Sequence, residues 1–156
     1  MRAPGGCGRD RKGSPVSYGP WLRESVWAYP AFEIAHLAGV AALLGSLLLV
    51  ELRVFGVGGA LAPRALARLA LPVALGGFAL AAVTGLAMFA SQPLELLPNA
   101  AFQAKMLLVF LAGANAAAFH LRGSLERGDT LAKGQAAASL ALWLAVLACG
   151  RLIAYV

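Results

Sequence analysis

Four long apolar stretches, separated only by short segments rich in Pro, Gly and Arg, constrain this chain more than any other feature. They read as helices over residues 30–54, 63–91, 99–121 and 134–155. Each is long enough to cross a hydrocarbon core about 30 Å thick. Of the 156 residues, 60% are hydrophobic and 13% charged, whereas a soluble domain carries about a quarter charged residues. The expected fold is therefore all-α: four transmembrane helices in an up-down-up-down antiparallel bundle, with residues 27–156 as one membrane domain. The first 26 residues form a basic tail rich in Gly, Pro, Arg and Ser and are expected to be disordered. Part of that tail reads as a start-site artefact, with Val16 as the alternative start. Trp21, Trp27 and Tyr29 resemble an interfacial aromatic belt.

Local signals place the helix ends. Pro30 suits a first helical turn, where its missing N–H costs nothing. Gly56–Gly59 marks a flexible turn, and Pro72 either kinks the second helix or marks where its membrane part begins. Pro93 and Pro98 punctuate the next connection, and a polar loop spans 122–133. Small residues recur at four-residue spacing: Gly77, Ala81 and Gly85 in the second helix, Ala141, Ala145 and Cys149 in the fourth. Such ridges let membrane helices approach closely.

The net charge of +6 sits in the tail and the short loops instead of on one folded basic face, which excludes a nucleic-acid partner. It is a topology signal. The first and third loops hold Arg53, Arg64, Arg68, Arg122, Arg127 and Lys133, while the second, Gln92–Pro98, holds no basic residue. The positive-inside rule then puts both termini and the second loop outside the cytoplasm. The basic tail argues the other way, but the loops flank the spans directly. Two cysteines, Cys7 and Cys149, make neither a disulfide framework nor a Cys metal motif. P-loop, Rossmann, H-E-x-x-H and Ser-elbow patterns are absent.

The remaining charges lie within the spans, where ionisable groups are expensive and usually functional. Between Lys105 and His120 the non-ionisable run Met106–Phe119 has 14 residues, about 21 Å of helix, too short for a full crossing. In the first helix Glu33 and His36 are one turn apart, and Glu51 lies 18 residues beyond Glu33, about five whole turns. One stripe, with Val40, Leu44 and Leu47 between its polar ends, is expected to face the interior. Two layers follow from antiparallel neighbours. The outer gathers Glu33, His36, Met88, Lys105 and Arg151; the inner gathers Glu51, Arg53, Arg68, His120 and Gln135. His36 and His120 lie near opposite ends of parallel helices, roughly 15–20 Å apart in depth, so one haem held by both is not expected. Glu33 with Lys105 or Arg151 reads equally as an ion pair that sets helix register. His36 reads as a hydrogen-bonded structural histidine or as a haem or metal ligand, His120 as an interfacial histidine, and Glu51 and Arg53 as helix-end anchors at the headgroups. Met88 reads as packing; with His36 on a haem, the sixth position would be open or filled by Lys105 or Met88, and Lys105 and Arg151 would otherwise neutralise the propionates.

The stretch WAYPAFEIAHLAGVAALLGSLLLVELRVFG, with FQAKMLLVFLAGANAAAFH and the terminal GRLIAY, resembles a bacterial group of four-helix integral membrane proteins classed as a domain of unknown function. Its pattern is an aromatic-Pro start, Glu-x-x-His, small residues and an acidic-Leu-Arg end. A more distant similarity is to HemJ-type protoporphyrinogen oxidases and CopD-type copper-resistance membrane proteins. It rests on His36, Arg53, Arg64 or Arg68, Lys105 and His120, and implies haem b binding in the outer layer. The chain has fewer Tyr and Trp in its spans than a porphyrin substrate calls for.

The expectation is a multi-pass protein of the bacterial inner membrane carrying a haem- or metal-binding redox module. His36 would be the axial ligand or metal ligand, Glu33 would orient it, and Lys105 and Arg151 would meet negative charge. A small permeation component and a structural accessory subunit are the alternatives. The bilayer is the expected partner in every case, with further copies or a membrane complex for the alternatives.

Overall fold

In the computed structural model, residues 27–153 and Tyr155 are described. The expected disordered tail, with Trp21 and Val16, lies outside them. The described residues fold into helices α1 (Ala28–Val54), α2 (Pro63–Ser91), α3 (Pro93–Leu96), α4 (Ala100–Arg122), α5 (Ser124–Arg127) and α6 (Thr130–Leu152). Four of these, α1, α2, α4 and α6, are each long and apolar enough to cross a membrane, the signature of a multi-pass membrane protein. Large apolar side chains such as Leu107, Phe110 and Leu144 point outward from them, as lipid-facing surfaces do.

The helix starts follow from ordinary capping chemistry. Pro63 occupies the first turn of α2 after extended Ala62. The Asn99 side chain accepts the Phe102 N–H at 3.0 Å and opens α4. The fourth long helix starts four residues before the expected Gly134, because Asp129 accepts the Ala132 N–H at 2.9 Å and nucleates the turn there. Short helices α3 and α5 occupy what read as plain loops. Gly123 and Gly128, both left-handed with φ of 65° and 55°, bracket α5 and turn the chain on either side of it. Pro72 sits inside α2, which continues through it. Without an N–H, Pro72 cannot bond the carbonyl four residues back, so Arg68 loses its usual helical partner.

The tightest contact joins α1 and α2. A Cβ on Gly39 would lie 2.8 Å from the Ala81 nitrogen and the Gly77 oxygen, and one on Gly77 would lie 2.6 Å from the Gly39 oxygen. The two backbones touch, as the small-residue ridge requires. The second well-packed pair is α4 with α6; α1 also meets α6, while α4 approaches α1 and α2 at most glancingly. The expected ridge in the last helix is displaced. Ala141 is exposed and the buried small residues are Ala132 and Ala136, one to three turns earlier. There Val54, Phe119, Ala132 and Ala136, with Leu125 against them, form the densest apolar cluster. It lies at the end of the bundle that also carries the loop arginines, called here the basic end.

Candidate functional site

The expected outer layer does not assemble as one cluster at the opposite end. His36 turns toward α2, where its Nδ1 lies 2.8 Å from the Ala81 carbonyl oxygen and 3.2 Å from Thr84 Oγ1. The Thr84 hydroxyl donates to the Leu80 carbonyl at 2.7 Å and so presents a lone pair to the ring. Because a carbonyl can only accept, Nδ1 must carry the proton. The neutral imidazole then keeps its lone pair on Nε2, which makes no hydrogen bond among the described residues. Gly85 leaves room for this ring, since a Cβ there would lie 3.2 Å from His36 Cε1.

Glu33 was expected to orient His36 or to pair with Lys105 or Arg151, but it is exposed and does none of these. Its side chain stands at the surface, while His36 one turn on packs against α2. Lys105 is partly buried and lies along Gly150, where a Cβ would come 3.5 Å from Nζ, and its ammonium lies within Coulombic range of His36. Arg151 bends back along its own chain, donating to the Tyr155 hydroxyl at 2.8 Å and lying 5.2 Å from that ring's centroid. Met88 is partly buried one turn beyond Thr84, and its carbonyl accepts from Ser91 at 2.6 Å. Beside it, Phe89 stacks on Phe102 with centroids 5.4 Å apart. Among the described residues, no hydrogen bond or ion pair joins any two of the five outer candidates.

The basic end is built differently. Glu51 is not a headgroup anchor, being 5% exposed. The Ser139 hydroxyl of α6 lines the same space as its carboxyl, and its Oε1 is buried without a partner. A cavity of about 40 Å³ opens beside it, lined also by Asn115, His120 and Gln135. The Asn115 side-chain amide donates to the Gln135 carbonyl at 2.9 Å, and the Gln135 side-chain oxygen accepts from Ser124 at 2.7 Å. His120, Phe119 and Leu71 form the wall shared with a wider groove of about 510 Å³, which Arg64, Arg68 and Glu126 line. The His120 ring stands edge-on to Phe119 at 5.7 Å. Arg53 is the inner candidate that stays apart: its Nε donates to the Leu61 carbonyl at 2.9 Å and ties down the α1–α2 turn.

Two ion pairs close this end, and neither was apparent in the sequence. Arg64 grips Glu126 in a fork of 2.7 and 2.9 Å. Its guanidinium, by hydrogen bond and charge, holds the Glu126 carboxyl below the usual carboxylate range. Arg122 pairs with Asp129, and that hydrogen bond, reinforced by the Ala132 N–H, holds the Asp129 carboxyl down as well. Each acid lies in the loop that the left-handed glycines fold back, and those glycines were the available signal. Thr84 and Ser139 were equally invisible, because a hydroxyl in an apolar helix advertises no partner.

Among the described residues no group of three His, Cys, Asp or Glu side chains gathers as a metal site would require. In comparisons with family models, curated proteins and solved structures, nothing matches this chain.

Proposed function

We propose that this chain is a multi-pass protein of a bacterial inner membrane, arranged up-down-up-down, and that it serves as a redox module in which His36 is the single protein ligand of a b-type haem. Its arginine-bearing loops would face the cytoplasm and its termini the other side. The observation that carries the reading is the locked tautomer. With Nδ1–H held by the Ala81 carbonyl and Thr84, the Nε2 lone pair is oriented and uncommitted, as a metal-ligating histidine's usually is. A bare metal ion fits poorly, since no further His, Cys, Asp or Glu joins His36. A haem supplies its other four ligands itself and asks the protein for one.

When bound, that group would supply one-electron chemistry. The chain's own residues have simpler tasks. Ala81 and Thr84 fix the imidazole plane, Gly85 leaves it space, and the Lys105 ammonium meets propionate charge in a setting of low dielectric. Glu33 and Arg151 take no part, given where they lie. The distant similarity to HemJ-type and CopD-type proteins is in keeping with this reading.

The permeation alternative is disfavoured by the middle of α1. Between Gly39 and Val50 its buried residues are Gly39, Leu43, Ser46 and Val50, so one hydroxyl is the only polar side chain on that path. The deciding experiment is the visible spectrum and metal content of protein purified in mild detergent. A Soret band lost in His36→Ala and retained in His120→Ala is expected. Colourless, metal-free protein that moves a solute in liposomes would assign permeation instead, and colourless protein copurifying with a membrane complex would assign an accessory role.

A further inference from the structure

We propose that Glu51 is a proton-exchanging carboxyl, reached from the Arg64–Arg68 groove through His120 and a chamber the size of a water molecule. This site is independent of the haem reading and uses none of its residues. The starting observation is the unpartnered Oε1 of a residue only 5% exposed. A lone ionised carboxylate in such a place is strongly penalised unless a positive charge neutralises it. The chamber lining offers none: besides Glu51, its one titratable residue is His120, and the rest are the amides Asn115 and Gln135, the hydroxyl of Ser139 and apolar groups.

The groups facing Glu51 from each element can be named. On α1 itself Arg53 is committed to Leu61. From α2, Arg64 and Arg68 stand in the outer groove and not in the chamber; from α4 comes His120; from α5, Glu126, held by Arg64; from α6, the uncharged Gln135 and Ser139. A volume of about 40 Å³ holds a water, which needs two to four polar partners, and Glu51, Asn115, Gln135 and Ser139 provide them. A dehydrated metal cation fits less well, because both Gln135 oxygens already accept hydrogen bonds from Asn115 and Ser124.

The transfer balances without a further reactant. The proton leaving Oε1 passes to the chamber water as that water gives one to a His120 ring nitrogen, and His120 releases one to the groove. The reverse sequence restores the acid. With Arg64 committed to Glu126, Arg68 is the groove's remaining cation, and it stands outside the chamber.

The test is infrared spectroscopy of the full chain reconstituted in liposomes, titrated in pH at fixed sodium. The expected result is a protonated-carboxyl C=O band that vanishes on alkaline titration, shifts in D₂O and is missing in Glu51→Gln. In His120→Ala its exchange with D₂O should slow by about tenfold or more, the low end of what a positioned acid–base group supplies. If Glu51→Gln fails to fold, wild-type protein labelled with dicyclohexylcarbodiimide provides the assignment, with the adduct expected on Glu51 by peptide mass spectrometry. A band that never titrates, one that does not exchange with D₂O, or one abolished by raising sodium at constant pH overturns the proposal; the last would assign a cation in place of the proton.

Discussion

The two ends of the bundle start from similar side chains and finish differently. At the basic end all four long helices converge, so Glu51, Asn115, Gln135, Ser139 and His120, with Leu71 of α2, surround one chamber. At the opposite end the same kinds of residue disperse. His36 goes to α2, Lys105 to α6, Arg151 to its own terminus, and Glu33 to the surface. The difference is one of packing partners and not of composition. A charged residue on an inward stripe becomes part of a site only where other helices enclose it, and here Glu51 is enclosed with Ser139 of α6 while Glu33 is exposed.

The largest effect is expected where the two ends are held together. Gly77→Ala would place a methyl 2.6 Å from the Gly39 oxygen and should destabilise the α1–α2 pair by about 1–3 kcal/mol through overpacking, read as a lower thermal midpoint in detergent. Its neighbour Gly76 faces open space. Gly76→Ala should be neutral or stabilise by up to about 1 kcal/mol, since Ala is the better helix former. Equal losses at both positions would mean the helices do not cross there.

The next effect separates the two glutamates. Glu51→Ala enlarges the chamber at a buried position and should cost about 1–3 kcal/mol. Glu33→Ala, at an exposed position, should stay within about 0.5 kcal/mol. A reversed order in thermal unfolding would remove the contrast between the ends. Smaller still, Gly85→Ala should press on His36 Cε1 and shift the haem spectrum without abolishing it, whereas Gly113→Ala, in open space, should leave it unchanged.

The smallest effect concerns pH at the α5 loop. Glu126 and Asp129 both have carboxyl pKa values lowered in the folded protein. Their contribution is therefore fully present above the ordinary carboxylate range of about 4 and is lost as pH falls through the lowered folded values. Amide hydrogen exchange over residues 123–130, corrected for its intrinsic pH dependence, should rise as the medium is acidified below pH 4. Exchange that is flat over that window would show the ion pairs contribute nothing to loop order.

The apolar runs made the four long helices legible, because length and hydropathy are carried residue by residue along one segment. The close approach at Gly77 was legible too, as a spacing of small residues, although its counterpart Gly39 was not singled out. The site was legible only in its ingredients. Periodicity placed Glu33 and Glu51 on one face but could not tell that only Glu51 would be buried. The fourth helix began early because a single acid, Asp129, caps it within what reads as a polar loop. Thr84, which holds His36, and Ser139, which lines the chamber with Glu51, depend on the relative rotation of two helices, and no single segment encodes that.

The claim that ligand chemistry belongs to one end alone is tested most directly by electron paramagnetic resonance of the ferric, haem-loaded protein. A single histidine ligand predicts a high-spin signal, present in His120→Ala and absent in His36→Ala. A low-spin bis-histidine signal lost in either variant would contradict the account, for it would require both ends of the bundle to reach the same iron.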